Sequence, residues 1–220
     1  MKLVKPSYEI LHVDTGAMRL LELAGRTCYK SEDRIQDGTA EPFVKRIVQD
    51  YKHESVIEHA SITVKFIVDR GVTHELVRHR LCAFSQESTR YCNYGKAGHV
   101  TFVIPPWLNF LPGIPNDNDL DRLAVDSNPS SRWIVHCRDC EAAYLGLLAY
   151  GWSPQQARSV LPNSLKTEIV TTANFREWRH ILTLRTAKPA HPQMREIMVP
   201  LLADLSNRLP VIFGDIPCEP

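Results

Sequence analysis

Between Arg78 and Arg90 the chain reads RHRLCAFSQESTR, with two arginines around a histidine, then Ser85, Gln86, Ser88, Thr89 and a third arginine. Guanidinium groups pair bidentately with phosphate, and hydroxyls and backbone N–H groups complete a cradle for an anion. Gln86 adds an amide able to read a base edge or a ring carbonyl. The other reading of Arg78-His79-Arg80 is a solvated helix end, where cations suit the helix dipole.

A second set of polar groups lies downstream. Arg158 follows Ser153-Pro154, and Asn174, Arg176 and His180 begin a later helix with Arg176 and His180 four residues apart on one face. Arg185 shares a stripe with Ile181 and Leu182, where an arginine either snorkels or pairs with something buried. Two other motifs point away from metals. HESVIEH, residues 53–59, lacks the second histidine of a zinc-protease helix, because Ile57 occupies that place. His59 lies about 240° from His53 on a helix; His53, Ser55, Glu58 and His59 instead supply donors and acceptors beside a polar ligand. The lone Cys137-x2-Cys140 shares a helical face with Tyr144 and reads as buried core. There is no G-x-G-x-x-G, no phosphate-loop motif and no G-x-S-x-G elbow. With no marked nucleophile, the chemistry falls to a bound cofactor.

The 220 residues carry 26 basic and 25 acidic side chains, a net charge of +1. That balance argues against a general nucleic-acid surface, so any anion site is local. No apolar run is long enough to cross a bilayer and the start lacks a secretory signal, so a cytoplasmic protein without membrane partners is expected. The six cysteines, Cys28, Cys82, Cys92, Cys137, Cys140 and Cys218, are then expected to be reduced.

Hydrophobic periodicity supplies the elements that must carry these residues. Val4 to Val13 reads as a strand, Thr15 to Tyr29 and Glu41 to Lys52 as helices, and residues 30–39 as a loop. ASITVKFIVDR alternates as a half-buried strand ended by Gly71, and Thr73 is expected to cap a helix through HELVRHR. HVTFVIPP is a strand stopped by its prolines. Pro112 to Pro129 reads as a surface loop and Ser131 to Tyr150 as a long helix. Ser153-Pro154 opens a helix ending near Leu161, Leu165 to Thr172 is a strand, Asn174 caps the next helix with Glu177 placed for a capping box, and Pro192 opens the last. Strands and helices without regular alternation imply an α+β fold, taken as one domain over residues 1–220.

The residues just quoted resemble those of the flavin-dependent thymidylate synthases. That family's signature is Arg-His-Arg, seven residues, then Ser, and here Arg78-His79-Arg80 precedes Ser88 by seven residues, followed by Arg90 and Tyr91. HESVIEH with its following strand is similar to the family's upstream segment, and the run from Arg158 through LPNSLKTEIVTTANFREWRHILTLR to its downstream segment. The resemblance implies an α+β fold with a central, mostly antiparallel sheet flanked by helices, and a homotetramer whose active sites are shared between subunits. It implies conversion of dUMP to dTMP with 5,10-methylenetetrahydrofolate, FAD and NADPH, without an enzyme thiolate on the pyrimidine. By position, Ser55, Arg78, His79, Arg80, Gln86, Asn174, Arg176 and His180 are expected at FAD. Glu75, Leu76, Val77, Arg78, Gln86, Glu87, Ser88, Thr89, Arg90, Arg158 and Arg185 are expected at dUMP, with Arg185 polarising the uracil ring. No metal is expected. Two other readings of the same residues are a different FAD- and nucleotide-binding oxidoreductase on this scaffold, and a non-enzymatic nucleotide- or RNA-binding module.

Overall fold

A computed structural model describes residues 1–14, 16–125 and 128–217. Its contacts resolve into two compact units, one of residues 1–7, 67–75 and 85–169, the other of residues 8–66, 76–84 and 170–220. The architecture is α+β, an antiparallel sheet flanked by helices, as the pattern of elements implies. The four-stranded sheet has the order β2 (Ser7–Val13), β3 (Ser61–Asp69), β6 (Lys166–Asn174), β4 (Ala83–Gln86). Thr63 meets Thr172 through their hydroxyls at 2.9 Å, whereas Arg70 N donates to Asn163 O at 2.9 Å. Numbers that rise along one strand and fall along the other mark β3 and β6 as antiparallel. Both strands alternate in burial along their length, as a half-buried strand must.

In the second unit, α1 (Ala17–Tyr29) packs on α2 (Ala40–Lys45), which runs on as a π-helical turn over Arg46–Asp50. A Cβ on Gly25 would come within 2.7 Å of the Phe43 ring, so the glycine is what lets that ring close on α1. A 3-10 segment, Glu54–His59, leads into β3, and β6 leads directly into α7 (Phe175–Thr186). Asn174 is the hinge between them. Its side chain accepts from Glu177 N at 2.8 Å, satisfying a free helix-end N–H. Phe175, Trp178, Ile181 and Leu182 are all fully buried, and α8 (Pro192–Arg208) and α9 (Pro210–Phe213) complete this core with Met194, Met198, Leu201, Leu205 and Phe213. In the first unit, β1 (Lys2–Val4) pairs in parallel with β5 (Thr101–Val103), and Leu3, Phe102, Ile134, Cys137, Tyr144 and Leu165 form the core under α5 (Pro129–Ala149).

Several sequence expectations change. The stretch 4–13 is two strands in two sheets, since Pro6 has no N–H to continue a ladder. The helix after β3 is α3 (Arg70–Leu76), which begins before Gly71. Asp69 supplies the cap, accepting from Val72 N at 2.8 Å, while Thr73 lies inside and returns its hydroxyl to Arg70 O. The 112–129 stretch contains a helix, α4 (Asp117–Val125). Strand β4 and the turn α9 had no signal in the hydrophobic pattern, being four residues each. The short helix after Ser153-Pro154 forms as expected, α6 (Pro154–Ala157) with a 3-10 turn to Val160. Residue Thr15, expected to open α1, and Cys218 lie outside the described residues; the other five cysteines are free thiols. Among the described residues no helix is long and apolar enough to cross a membrane.

Trp178 ties α7 to β3, its ring 6.3 Å from Phe66 and its Nε1 donating to Ile62 O at 3.0 Å. Trp178→Ala should lose about 3–5 kcal/mol of unfolding free energy in a urea titration. Trp178→Phe, which keeps a ring and drops the hydrogen bond, should lose clearly less.

Candidate active site

The Arg-His-Arg signature sits in the turns that follow α3, which ends at Leu76. A backbone bond from His79 N to Leu76 O (3.1 Å) and another from Cys82 N to His79 O (3.2 Å) hold this turn. The three side chains therefore diverge. Arg78 and Arg80 are exposed, and His79 is buried at 6% exposure. His79 Nε2 accepts from Arg185 Nε at 3.0 Å, while its Nδ1 lies 3.4 Å from Glu177 Oε1. With Arg185 donating to Nε2, the ring proton belongs on Nδ1, facing the carboxylate. Burial first, then the Arg185 guanidinium and His180, lower the His79 pKa from 6.5 to about 4. His79 is thus neutral at pH 7, and neutrality is what lets it accept from an arginine. The His180 ring meets His79 edge-on at 5.7 Å.

Glu177 and His180 also line a cleft of about 710 Å³, together with Glu54, Glu58, Leu81, Asn174, Arg176, Arg179 and Thr183. Three residues expected at a flavin, Asn174, Arg176 and His180, line it together, because α7 starts at its edge. Its charges are internally matched. Arg176 Nη1 donates to Glu58 Oε1 at 2.5 Å, and Arg179 donates to Glu54 Oε1 (3.1 Å), to both oxygens of Asp215 and to Ile212 O. Ser55, on the 3-10 segment 54–59, is exposed. The donor set fits a flavin in kind: arginine, imidazole and amide groups suit phosphate and ring heteroatoms. His79, Glu177 and His180 also present three ligand-type atoms within 4.8 Å, but one nitrogen of His79 is already engaged by Arg185.

Of the residues expected at a nucleotide, Glu75, Gln86, Glu87, Ser88, Thr89, Arg90 and Arg158 lie in the first unit and Leu76, Val77, Arg78 and Arg185 in the second. Arg158 Nη1 donates to Thr89 Oγ1 at 2.9 Å, joining positions 69 residues apart. Gln86 Nε2 donates to Thr73 Oγ1 (2.9 Å) and Thr167 Oγ1 (3.3 Å), both buried, so its amide is fixed. Ser88 anchors a turn, its carbonyl accepting from Tyr91 N and Cys92 N, and its Oγ from Arg90 N at 3.3 Å. Arg90 lies over the Tyr91 ring at 5.5 Å. Glu87 is engaged by Lys166 at 2.9 Å, and Lys166 also holds Glu168. Glu75 is half-buried and Val77 exposed, but Leu76 is fully buried, so it presents no exposed surface to a ligand.

Sequence reasoning missed Glu177, Glu54, Arg179, Thr73 and Thr167 as site residues. Glu177 was expected to return its carboxylate to the helix cap; its backbone N–H does bond Asn174, but the carboxylate lies by His79. The available signal was its spacing of three residues from His180, which puts both on one face of α7. The cysteine nearest the signature, Cys82, has its thiol pushed up to about 12 by burial and then by Glu177, which keeps it protonated and unreactive.

Comparison with known proteins covers nearly the whole chain. A family model described as Thymidylate synthase complementing protein matches residues 9–211. A flavin-dependent thymidylate synthase of Corynebacterium efficiens is 34% identical over 212 residues, covering 93% of this chain and 81% of the relative. Its counterpart in Mycobacterium avium is 33% identical over 209 residues, covering 91% and 80%. Among solved structures, thymidylate synthase X of Helicobacter pylori with FAD and dUMP has a TM-score of 0.72 at 22% identity, covering 96% of this chain and 98% of that one. A UMP/dUMP methylase, PolB, of Streptomyces cacaoi bound with 5-Br dUMP has a TM-score of 0.74 at 22% identity, covering 97% and 96%. At that identity the two structures share the fold.

The trio makes stability depend on pH. Between pH 6.5 and about 4 the unfolded chain binds a proton at His79 that the folded chain refuses. The stabilisation is therefore complete above pH 6.5 and is lost as pH falls toward 4, by roughly 3 kcal/mol in all. Urea titrations at pH 7 and 4.5 should show a steeper loss in the wild type than in His79→Gln. At pH 7, Glu177→Leu removes the carboxylate that faces His79 Nδ1 at 3.4 Å and should cost about 1–3 kcal/mol by the same measurement. Glu177→Gln, which keeps an acceptor oxygen, should cost much less.

Proposed function

Since the chain belongs to the flavin-dependent thymidylate synthase family, and so is a flavin-dependent methyltransferase, we propose that it converts dUMP to dTMP with 5,10-methylenetetrahydrofolate as carbon donor and NADPH as reductant. The observation that carries this reading is the hydrogen bond from Arg185 to His79, which joins the signature to an arginine 106 residues downstream. FAD, when bound, supplies the hydride that turns the transferred methylene into a methyl group, after taking reducing equivalents from NADPH. The rest is positioning and electrostatics.

Uracil C5 attacks an electrophilic carbon only as negative charge builds on the ring. The Arg185 guanidinium near the ring stabilises that charge, and its neutral partner His79 takes none of it away, unlike a carboxylate. Asn174, Arg176 and His180, with Ser55, Arg78, His79, Arg80 and Gln86, hold the flavin. Arg158, Thr89, Ser88, Arg90 and Gln86 hold the nucleotide, with Glu75, Val77, Arg78 and Glu87 alongside. The Arg158–Thr89 bond supports this, because it presents a guanidinium and a hydroxyl together, the pairing a phosphate needs. Solved structures of the same fold carry FAD and dUMP, which supports both ligands here. The family resemblance also favours a cytoplasmic homotetramer with active sites shared between subunits.

Purified protein supplied with FAD, NADPH, methylenetetrahydrofolate and dUMP should form dTMP and oxidise NADPH in a dUMP-dependent way; absence of dTMP would sink the reading. Arg185→Ala should keep the flavin absorbance and lose about 10²–10³-fold in kcat, the scale of removing one group that stabilises transition-state charge. Full activity in that variant would refute the role.

A further inference from the structure

A cationic pocket of about 350 Å³ lies in the unit that carries the His79 trio. It is lined by Arg26, Lys30, Arg34 and Arg46, with Tyr29, Phe43 and Tyr51 among its walls and no acidic residue in its lining. Four positive side chains gathered in one place are notable in a chain of net charge +1. Other arginines of this unit are spent on carboxylates, Arg176 on Glu58, Arg179 on Asp215 and Glu54, Arg208 on Asp204, and within the pocket Arg26 pairs with Glu22. Among the described residues Lys30, Arg34 and Arg46 make no ion pair, although Glu32 and Asp33 adjoin Arg34 in the chain.

The walls are built, not incidental. Arg26 is buried at 8% exposure, its Nε held by Glu22 at 2.7 Å and its guanidinium over the Phe43 ring at 4.6 Å. Arg46 approaches the same ring at 5.9 Å. Lys30 closes α1 in the left-handed conformation, φ 49°, where glycine or asparagine is the usual residue. A lysine there accepts backbone strain in order to stand at the pocket, and strain of that kind collects at functional positions. The hydroxyl of Tyr29 shares a hydrogen bond with His53 Nδ1 at 3.0 Å, and Tyr51 lies 5.9 Å from the His53 ring. His53 is two residues from Ser55, which is assigned to the flavin above.

We propose that this pocket is an anion subsite for the tail of a co-substrate, its clustered phosphate or carboxylate oxyanions bound by Lys30, Arg34 and Arg46 beside the Arg26 guanidinium that Glu22 holds through Nε. At about 350 Å³ it stands at the small end of ligand sites and fits such a tail rather than a whole dinucleotide or folate. The assignment to a co-substrate rests on the thymidylate synthase reading. The presence of an anion site does not.

The test uses FAD- and dUMP-saturated protein, so that other phosphate sites are filled, and the double variant Arg34→Gln/Arg46→Gln. Inorganic pyrophosphate, followed by calorimetry at low salt, should bind the wild type and bind the variant at least about tenfold more weakly, as lost charge-assisted contacts require. In turnover, the variant should raise KM about fivefold or more for one co-substrate while kcat stays unchanged. A rise for NADPH but not NADH assigns the tail to the dinucleotide's extra phosphate. A rise for the folate but not for an analogue without its glutamate assigns it to carboxylates. Equal pyrophosphate binding, unchanged KM for both co-substrates, or loss of FAD from the variant would each overturn the proposal. If the wild type makes no dTMP, the thymidylate synthase reading fails, while calorimetry still decides whether the pocket holds anions.

Discussion

A buried histidine that accepts a hydrogen bond from an arginine must be neutral, and much of the active-site half of this chain is arranged around that requirement. His79 is 6% exposed, with Arg185 on one nitrogen and Glu177 facing the other. A protonated ring would place two cations in contact in a space with little water, so the protein holds the pKa near 4. Glu177 then makes a directional contribution: it favours the Nδ1 tautomer, which leaves Nε2 free for Arg185. Each member owes its place to a different element. The turn after α3 supplies His79, and the first and last turns of α7 supply Glu177 and Arg185. The Asn174 cap fixes where α7 begins and hence where both α7 residues lie.

The packing beneath gives that geometry its rigidity. Trp178 follows Glu177 in the chain, about 100° round the helix, and enters the core against Phe66 and onto the Ile62 carbonyl. Arg179 comes next and is bound to Asp215, Ile212 and Glu54. Three consecutive residues of α7 thus face the site, the core and the chain's C-terminal segment. The helix can neither rotate nor slide without breaking one of the three. A charged pair such as Arg179–Asp215 adds little net stability once desolvation is counted, but a misplaced helix would leave those charges unpaired, which is strongly unfavourable. Its value lies in specifying one register.

Much of this could be read in the sequence where a residue's role follows from its own neighbours. Asn174 before Phe175 announced a helix cap, and β3 announced itself by strict alternation. The Arg-His-Arg signature and Arg158 stood out as candidate anion-binding residues, and the structure joins Arg158 to Thr89 and His79 to Arg185. What escaped depends on partners distant in the chain. Nothing local says that Asp69 rather than Thr73 caps α3, because both are good capping residues and the choice is made by where β3 ends. Glu177 looked like a capping-box partner, a role open to it until His79 arrives from 98 residues away. The 112–129 stretch read as a loop because its Pro, Asn and Asp content outweighs the short apolar face that buries Leu120 in the core of its unit.

The same contrast separates arginines that hold the fold from those proposed to meet ligands. Composition could not do this, since a net charge of +1 describes both. A structural arginine has a carboxylate at hydrogen-bond distance, as Arg179 does. The arginines proposed to meet ligands also have neutral partners that aim them: Arg185 has the neutral imidazole of His79, Arg158 a hydroxyl, Arg46 an aromatic face, and Arg26 the same ring while its Nε is held by Glu22. Neutral partners leave the positive potential intact for an incoming anion, whereas a carboxylate has to be displaced before the anion can bind. By this criterion Arg176, held by Glu58 at 2.5 Å, is the exception among the expected flavin contacts. That pair is half exposed, where an ion pair is worth little, so a flavin phosphate can take over the guanidinium at small cost.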